Sequence, residues 1–277
     1  MIAFVGSVFS PYYALARGLG RADPDNFCAL NVALYGGSTA RWSMTERARR
    51  HCHRDARQFT IGPSRLSWDG QALTVRIRER GAPLPRPIEG EVRLEPQGLC
   101  RFTTPIDAQG RHRWGPIAPV ARVRVDLDQP RLRWSGQAYL DCNEGDEPID
   151  RGFRRWDWSR ARLGDGSTAV LYDIEQRDRE ERLLALRFAP DGSVRSFDPP
   201  RRQAMRPTAW RVARGLRSGT PVTVQEQLED TPFYQRAILR SELLGETVTS
   251  FHESLSVPRL VSPVVRAMLP FRMPRRF

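Results

Sequence analysis

The chain has 277 residues, with 44 basic and 32 acidic side chains and a formal net charge of +12. Hydrophobic residues make up 40% and charged residues 27%, which excludes a disordered chain and a membrane-embedded one. All 44 basic residues are arginine, acidic residues are interleaved with them as in Asp178-Arg179-Glu180-Glu181-Arg182, and no long block of like charge occurs, so a dedicated nucleic-acid binder is disfavoured.

The length allows one or two domains. Met1 to Val5 is apolar, is broken early by Gly6, Ser7, Ser10 and Pro11, and reads as a strand. A domain that starts at residue 1 implies either a start inside the domain or sequence upstream of it. Cys28, Cys52, Cys100 and Cys142 form no Cys-x-x-Cys pair, so no metal site is expected. Free thiols point to a reducing compartment. Thr45 to Arg57, which contains His51-Cys52-His53, is highly polar and reads as a helix.

Most of the remainder reads as short strands. Leu66 to Trp68 and Leu73 to Ile77 flank an Asp69-Gly70 turn. Ile88 to Leu94 and Val120 to Leu127 alternate apolar and polar residues. Leu183 to Phe188 and Val194 to Phe197 flank Asp191-Gly192, and Pro221 to Leu228, Tyr234 to Leu244 and Val248 to Leu255 continue a meander. Arginine suits the outward face of such strands, its stem covering apolar surface and its head in water. Ser262-Pro263 reads as a helix start, with the helix ending at Leu269 before Pro270. Val264, Val265, Met268 and Leu269 would share one side, with Arg266 opposite and Arg272, Arg275 and Arg276 following. This basic amphipathic tail either packs on the protein itself or touches anionic lipid. The fold class expected is all-β, two barrel or sandwich lobes over residues 1–128 and 129–277, dividing near Asp128-Gln129-Pro130.

Chemistry concentrates in two extended segments. In Arg111-His112-Arg113-Trp114, His112 and Trp114 share a face; in the segment ending Tyr139-Leu140-Asp141, Tyr139 and Asp141 do. If both faces point inward, a carboxyl lies among aromatic rings, where its pKa is displaced. Otherwise Asp141 closes a turn or meets an arginine. Trp156 and Trp158 also share a face, and such a pair is more often core than site. No serine elbow, phosphate loop or dinucleotide fingerprint occurs.

The opening Ile2 to Tyr13, together with Arg111 to Trp114, Tyr139-Leu140-Asp141, Gly145-Asp146-Glu147-Pro148 and Gly152 to Arg160, resembles the carotenoid 1,2-hydratase (hydroxyneurosporene synthase) family. Asp230 to Tyr234, His252-Glu253-Ser254-Leu255-Ser256 and Leu269 to Pro274 extend the match over almost the whole chain. The resemblance implies paired lipocalin-like β-domains and a cofactor-independent hydro-lyase that adds water across the terminal C1=C2 bond of acyclic carotenoids such as neurosporene and lycopene. It implies Asp141 as the protonated acid, Trp114 and Tyr139 as stabilisers of a cation at C1, His112 as the base that orients water, and Trp156 and Trp158 as lining residues. No metal and no cofactor are implied. The partners are the carotenoid, water and a peripheral membrane contact at the cytoplasmic face of the inner or photosynthetic membrane. The alternative is a lipocalin-like carrier of hydrophobic polyenes, which has no need of an inward Asp and His.

Overall fold

The computed structural model describes residues 1–276. Strands dominate it, and they form two compact units. The first comprises Met1–Pro96, Arg122–Ala138 and the chain from Arg266 onward; the second comprises Gln97–Ala121 and Tyr139–Val265. Asp128-Gln129-Pro130, expected to divide two lobes, lies instead at the turn joining two long strands, His112–Gln129 and Leu132–Gly145. The chain passes from one unit to the other within those strands.

In the first unit a four-stranded sheet runs in the order Ile2–Val5, Cys28–Leu34, Arg41–Arg47, Arg275–Arg276. Its core holds Leu30, Val32, Ile61, Ile77, Ile88 and Leu127. The Ser64–Trp68 and Leu73–Arg80 strands pair through the expected turn, in which Gly70 adopts φ +99° and Asp69 Oδ1 accepts the Gln71 and Ala72 N–H groups at 2.8 and 2.7 Å.

Two expectations are corrected here. Thr45 to Arg57 is not a helix: it is the end of the Arg41–Arg47 strand, one 3-10 turn over Arg49–His51 and the Cys52–Arg54 strand. Its polar composition conceals a buried strand, because Glu46 is paired with the Arg275 guanidinium and Arg47 with Glu79 at 3.2 Å. The C-terminal helix does start at Pro263, with Ser262 Oγ accepting the Val265 N–H, but it continues through Pro270 to Arg272. Only Val265 and Leu269 of the four apolar residues turn inward, joined by Met273; Val264 and Met268 lie outside with Phe271, which is 81% exposed. The following arginines are built into this unit, Arg272 lying 4.4 Å over the Trp42 ring and Arg275 4.3 Å over Phe27.

The second unit is organised by a seven-stranded antiparallel sheet in the order Val194–Ser196, Glu181–Phe188, Thr168–Gln176, Phe153–Arg162, Glu246–Ser256, Tyr234–Leu243, Thr223–Asp230. The expected hairpins are all present. The sheets are open: among the described residues none closes into a barrel. Strand pleating divides the side chains between two faces. One face carries Ala161, Leu171, Ala237 and Leu239 over an apolar core, beside a buried polar cluster. In that cluster His252 Nδ1 accepts from Gln235 Nε2 and Nε2–H donates to the Gly215 carbonyl, each at 2.9 Å, because an amide nitrogen only donates and a carbonyl only accepts. Gln235 also donates to Ser254 Oγ, which donates to Asp157 Oδ1. The other face carries Trp156, Trp158 and Arg160.

Removing one partner of a buried ion pair strands the other charge. Arg275→Met is therefore expected to cost about 3–5 kcal/mol in chemical denaturation, with part recovered in the Glu46→Gln/Arg275→Met double variant.

Candidate active site

The site is built in the second unit. Asp107 fixes the start of the His112–Gln129 strand, its carboxylate accepting the His112 N–H at 2.9 Å and the Arg111 N–H at 3.2 Å. Two-residue alternation then sends His112 and Trp114 inward, and both are buried. On the Leu132–Gly145 strand the same alternation presents Tyr139 and Asp141. The Trp114 indole Nε1–H donates to Asp141 Oδ2 at 2.8 Å, and the Tyr139 hydroxyl donates to the same oxygen at 3.2 Å. No arginine, and so no counter-charge, bonds this carboxyl.

Rings continue the wall. Tyr139 lies 5.6 Å from Trp158. Trp114 meets Tyr172 and Phe188 edge-on at 6.0 and 6.2 Å, and Trp156 meets Tyr172 and Phe153 edge-on at 6.3 and 5.8 Å. The structure thus brings Trp114, Tyr139, Asp141 and Trp158 into direct contact, with Trp156 one ring away. His112 stands at the other end of the aromatic row, 4.7 Å from the Phe153 ring, and makes no hydrogen bond to Asp141. It occupies a slot made by two glycines: a Cβ at Gly145 would lie 2.5 Å from its Nδ1 and one at Gly152 3.2 Å from its Nε2. That Nε2 is buried without a hydrogen-bond partner, 3.8 Å from Glu147 Oε1.

Two site residues are not legible as such from the sequence. Arg160 rests on the Tyr139 and Phe251 rings at 5.3 and 5.4 Å. Glu253 is paired with Arg236 at 2.7 Å. The signals were present: Arg160 continues the alternation of Trp156 and Trp158, and Glu253 alternates with the buried His252 and Ser254.

Burial, reinforced by the Glu253 charge, raises the Asp141 carboxyl to about 6, against the pull of the Trp114 and Tyr139 hydrogen bonds and of Arg160. Burial and the neighbouring Asp141 raise the Tyr139 phenol, and burial lowers His112, which is neutral at pH 7. The Tyr139 and Asp141 side chains are half-buried by exposure yet surrounded by protein on nearly all sides, as expected of groups lining a recess. Such a carboxyl can deliver a proton to a base too weak to take one from water. On the other face of the sheet, a cleft lined by Asp157, Asp173, Arg202 and Arg217 is occupied by its own ion pairs. Among the described residues no three His, Cys, Asp or Glu side chains are grouped to hold a metal, and the four cysteines are free.

The family model described as carotenoid hydratase CrtC matches residues 1–277. The chain belongs to the carotenoid hydratase family. It is 59% identical to an acyclic carotenoid 1,2-hydratase of Rubrivivax gelatinosus over 99% of this chain and 69% of that protein. It is 50% identical to the protein of the same name from Thiocapsa roseopersicina, over 99% and 68%. The Rhodobacter capsulatus acyclic carotenoid 1,2-hydratase is 39% identical, over 100% of this chain and 98% of its own length.

The Asp141 carboxylic acid is expected to give an infrared carbonyl band that disappears as the pH rises through about 6 and is missing in Asp141→Asn. Because both hydrogen bonds favour the ionised form, Trp114→Phe and Tyr139→Phe should each move that transition to higher pH.

Proposed function

We propose that the chain is an acyclic carotenoid 1,2-hydratase: it adds water across the terminal C1=C2 bond and forms a tertiary alcohol, without a cofactor. The observation that carries the reading is the Asp141 carboxyl, held by two neutral donors within an aromatic wall and raised to about 6. An isolated alkene is a very weak base, so it needs an acid that is both poorly solvated and still protonated. Asp141 protonates C2. The cation left at C1 is met by the π faces of Trp114 and Trp158, an interaction worth about 2 kcal/mol when desolvated. Tyr139 acts through its hydroxyl, since Arg160 occupies a face of its ring. Trp156 lines the path of the polyene. His112, neutral beside Glu147, relays protons between the site and solvent.

Each unit serves as an open, lipocalin-like sheet, and the second shelters the polyene end. We further propose peripheral contact with an anionic membrane at its cytoplasmic face, where a water-insoluble substrate resides. The exposed Val264, Met268 and Phe271 support this reading, with Arg266 and Arg276 exposed nearby in sequence. No helix among the described residues is long and apolar enough to cross a membrane.

Acyclic carotenoid incubated with the protein alone should gain the mass of one water, and Asp141→Asn should bind polyene but yield no product. Bound but unchanged substrate with the wild-type chain would instead favour a carrier. Serine at Val264, Met268 and Phe271 should weaken binding to phosphatidylglycerol vesicles in a sedimentation assay; unchanged binding would remove this helix from the membrane contact.

A further inference from the structure

Hydration consumes one water per turnover, and a hydrocarbon polyene has no polar atom with which to hold it. The wall around Asp141 carries two donors that no protein acceptor takes, one half-buried and one buried. The Arg160 guanidinium, surrounded by protein on nearly all sides, lies between the Tyr139 and Phe251 rings and meets neither a hydrogen-bond acceptor nor a carboxylate among the described residues. The Trp158 Nε1–H is buried without a partner. An unsatisfied buried donor such as the Trp158 N–H is costly. In this reaction the acceptor that arrives is water.

An acceptor for the water's own proton lies on the same face. Arg160 is opposite Phe251 and Trp158 is opposite Glu253, so Arg160 and Glu253 are diagonal neighbours across two paired strands. Such positions are separated by roughly 7–8 Å, within reach of long side chains. The two head groups make no ion pair; Glu253 is held instead by Arg236, whose Nε and Nη2 both bond Oε1, at 2.8 and 2.7 Å. That fork uses Oε1, and the Tyr234 hydroxyl lies within hydrogen-bonding reach of the same carboxylate, which still has lone pairs to offer a water.

We propose that Arg160 and Glu253 form the water site of the hydratase, Arg160 donating to the water oxygen and the Glu253 carboxylate accepting its proton. The assignment rests on the hydratase reading and goes beyond it, because it places the base at Glu253 rather than at His112. In the balanced step the alkene π pair takes the Asp141 proton at C2, leaving a cation at C1. A water lone pair then forms the C1–O bond while one O–H proton passes to Glu253. The product is the polyene plus one water. Asp141 is left ionised and Glu253 protonated, and proton exchange with solvent resets both. Arg160 and Arg236 are offset by Glu253 and Glu229, so the cation forms in surroundings without excess positive charge.

Turnover in D₂O with an acyclic carotenoid separates proton transfer from water capture. Wild-type protein should give the alcohol with deuterium at C2. In Arg160→Met and Glu253→Gln, hydration should fall about 100-fold or more, while recovered substrate gains deuterium as the uncaptured cation reverts. Polyene binding by both variants controls for folding. Hydration at the wild-type rate in both variants overturns the water site, and so does loss of hydration and exchange together in variants that still bind polyene. Exchange without hydration in His112→Gln, with hydration intact in the other two, moves the water to His112 and overturns it likewise. Failure of the hydratase reading looks different, since wild-type protein then gives neither alcohol nor exchange.

Discussion

The Asp141 carboxyl has its pKa raised to about 6 in a protein that carries 44 arginines, and the arrangement around it turns on keeping guanidinium groups off that carboxyl. A single guanidinium bonded to Asp141 would hold it ionised. The structure excludes this in two ways. Both hydrogen bonds to Asp141 come from neutral groups, the Trp114 indole and the Tyr139 hydroxyl. Arginines close in sequence to the aromatic residues are paired with carboxylates: Arg113 bonds Asp146, Arg154 and Arg155 share Glu175, and Arg236 holds Glu253. Arg160, the exception, is stacked on rings rather than turned onto the carboxyl. The acidic residues interleaved with the arginines therefore do more than lower the net charge; they hold these guanidinium groups in pairs of their own.

The sheet makes this separation possible. A strand sends neighbouring residues to opposite faces, so Trp156, Asp157 and Trp158 can serve two environments within three positions. Asp157 is buried on the polar side with Ser254, Gln235 and His252, a network completed by Arg202, Arg214 and the Gly215 backbone. Trp156 and Trp158 form the aromatic side. A one-residue slip in register would exchange these environments and place a carboxylate and an imidazole among the rings. The fully bonded His252 cluster opposes that slip, because none of its members finds equivalent partners on the other face.

Much of this was legible in the sequence because it depends on period two. The alternation of His112 with Trp114 and of Tyr139 with Asp141, and the turn residues Asp69-Gly70 and Asp191-Gly192, specify which side chains share a face and where hairpins close. Alternation says nothing about which charged residues are buried. Glu46 and Arg47 lie in the interior because their partners, Arg275 and Glu79, are 229 and 32 positions away. A local reading therefore turns that strand into a polar helix. The C-terminal helix fails for a related reason: its apolar residues satisfy two sides, one against the protein and one exposed. Arg160 was hidden by the general rule for arginine on a strand, an outward head in water, which holds for Arg76 and Arg133 but not here.

The choice of arginine at position 160 has a physical consequence. A lysine at the same depth relieves its burial by losing its proton, and it then competes with Asp141 as a proton donor or acceptor. A guanidinium keeps its charge, spreads it over a plane that stacks on Tyr139 and Phe251, and offers several N–H groups in its own plane. It can lie flat against an aromatic wall and still present donors along its edge. On the proposed reading, that combination gives the aromatic wall an apolar surface for a polyene and a polar edge for one water, beside a carboxyl whose pKa is raised to about 6.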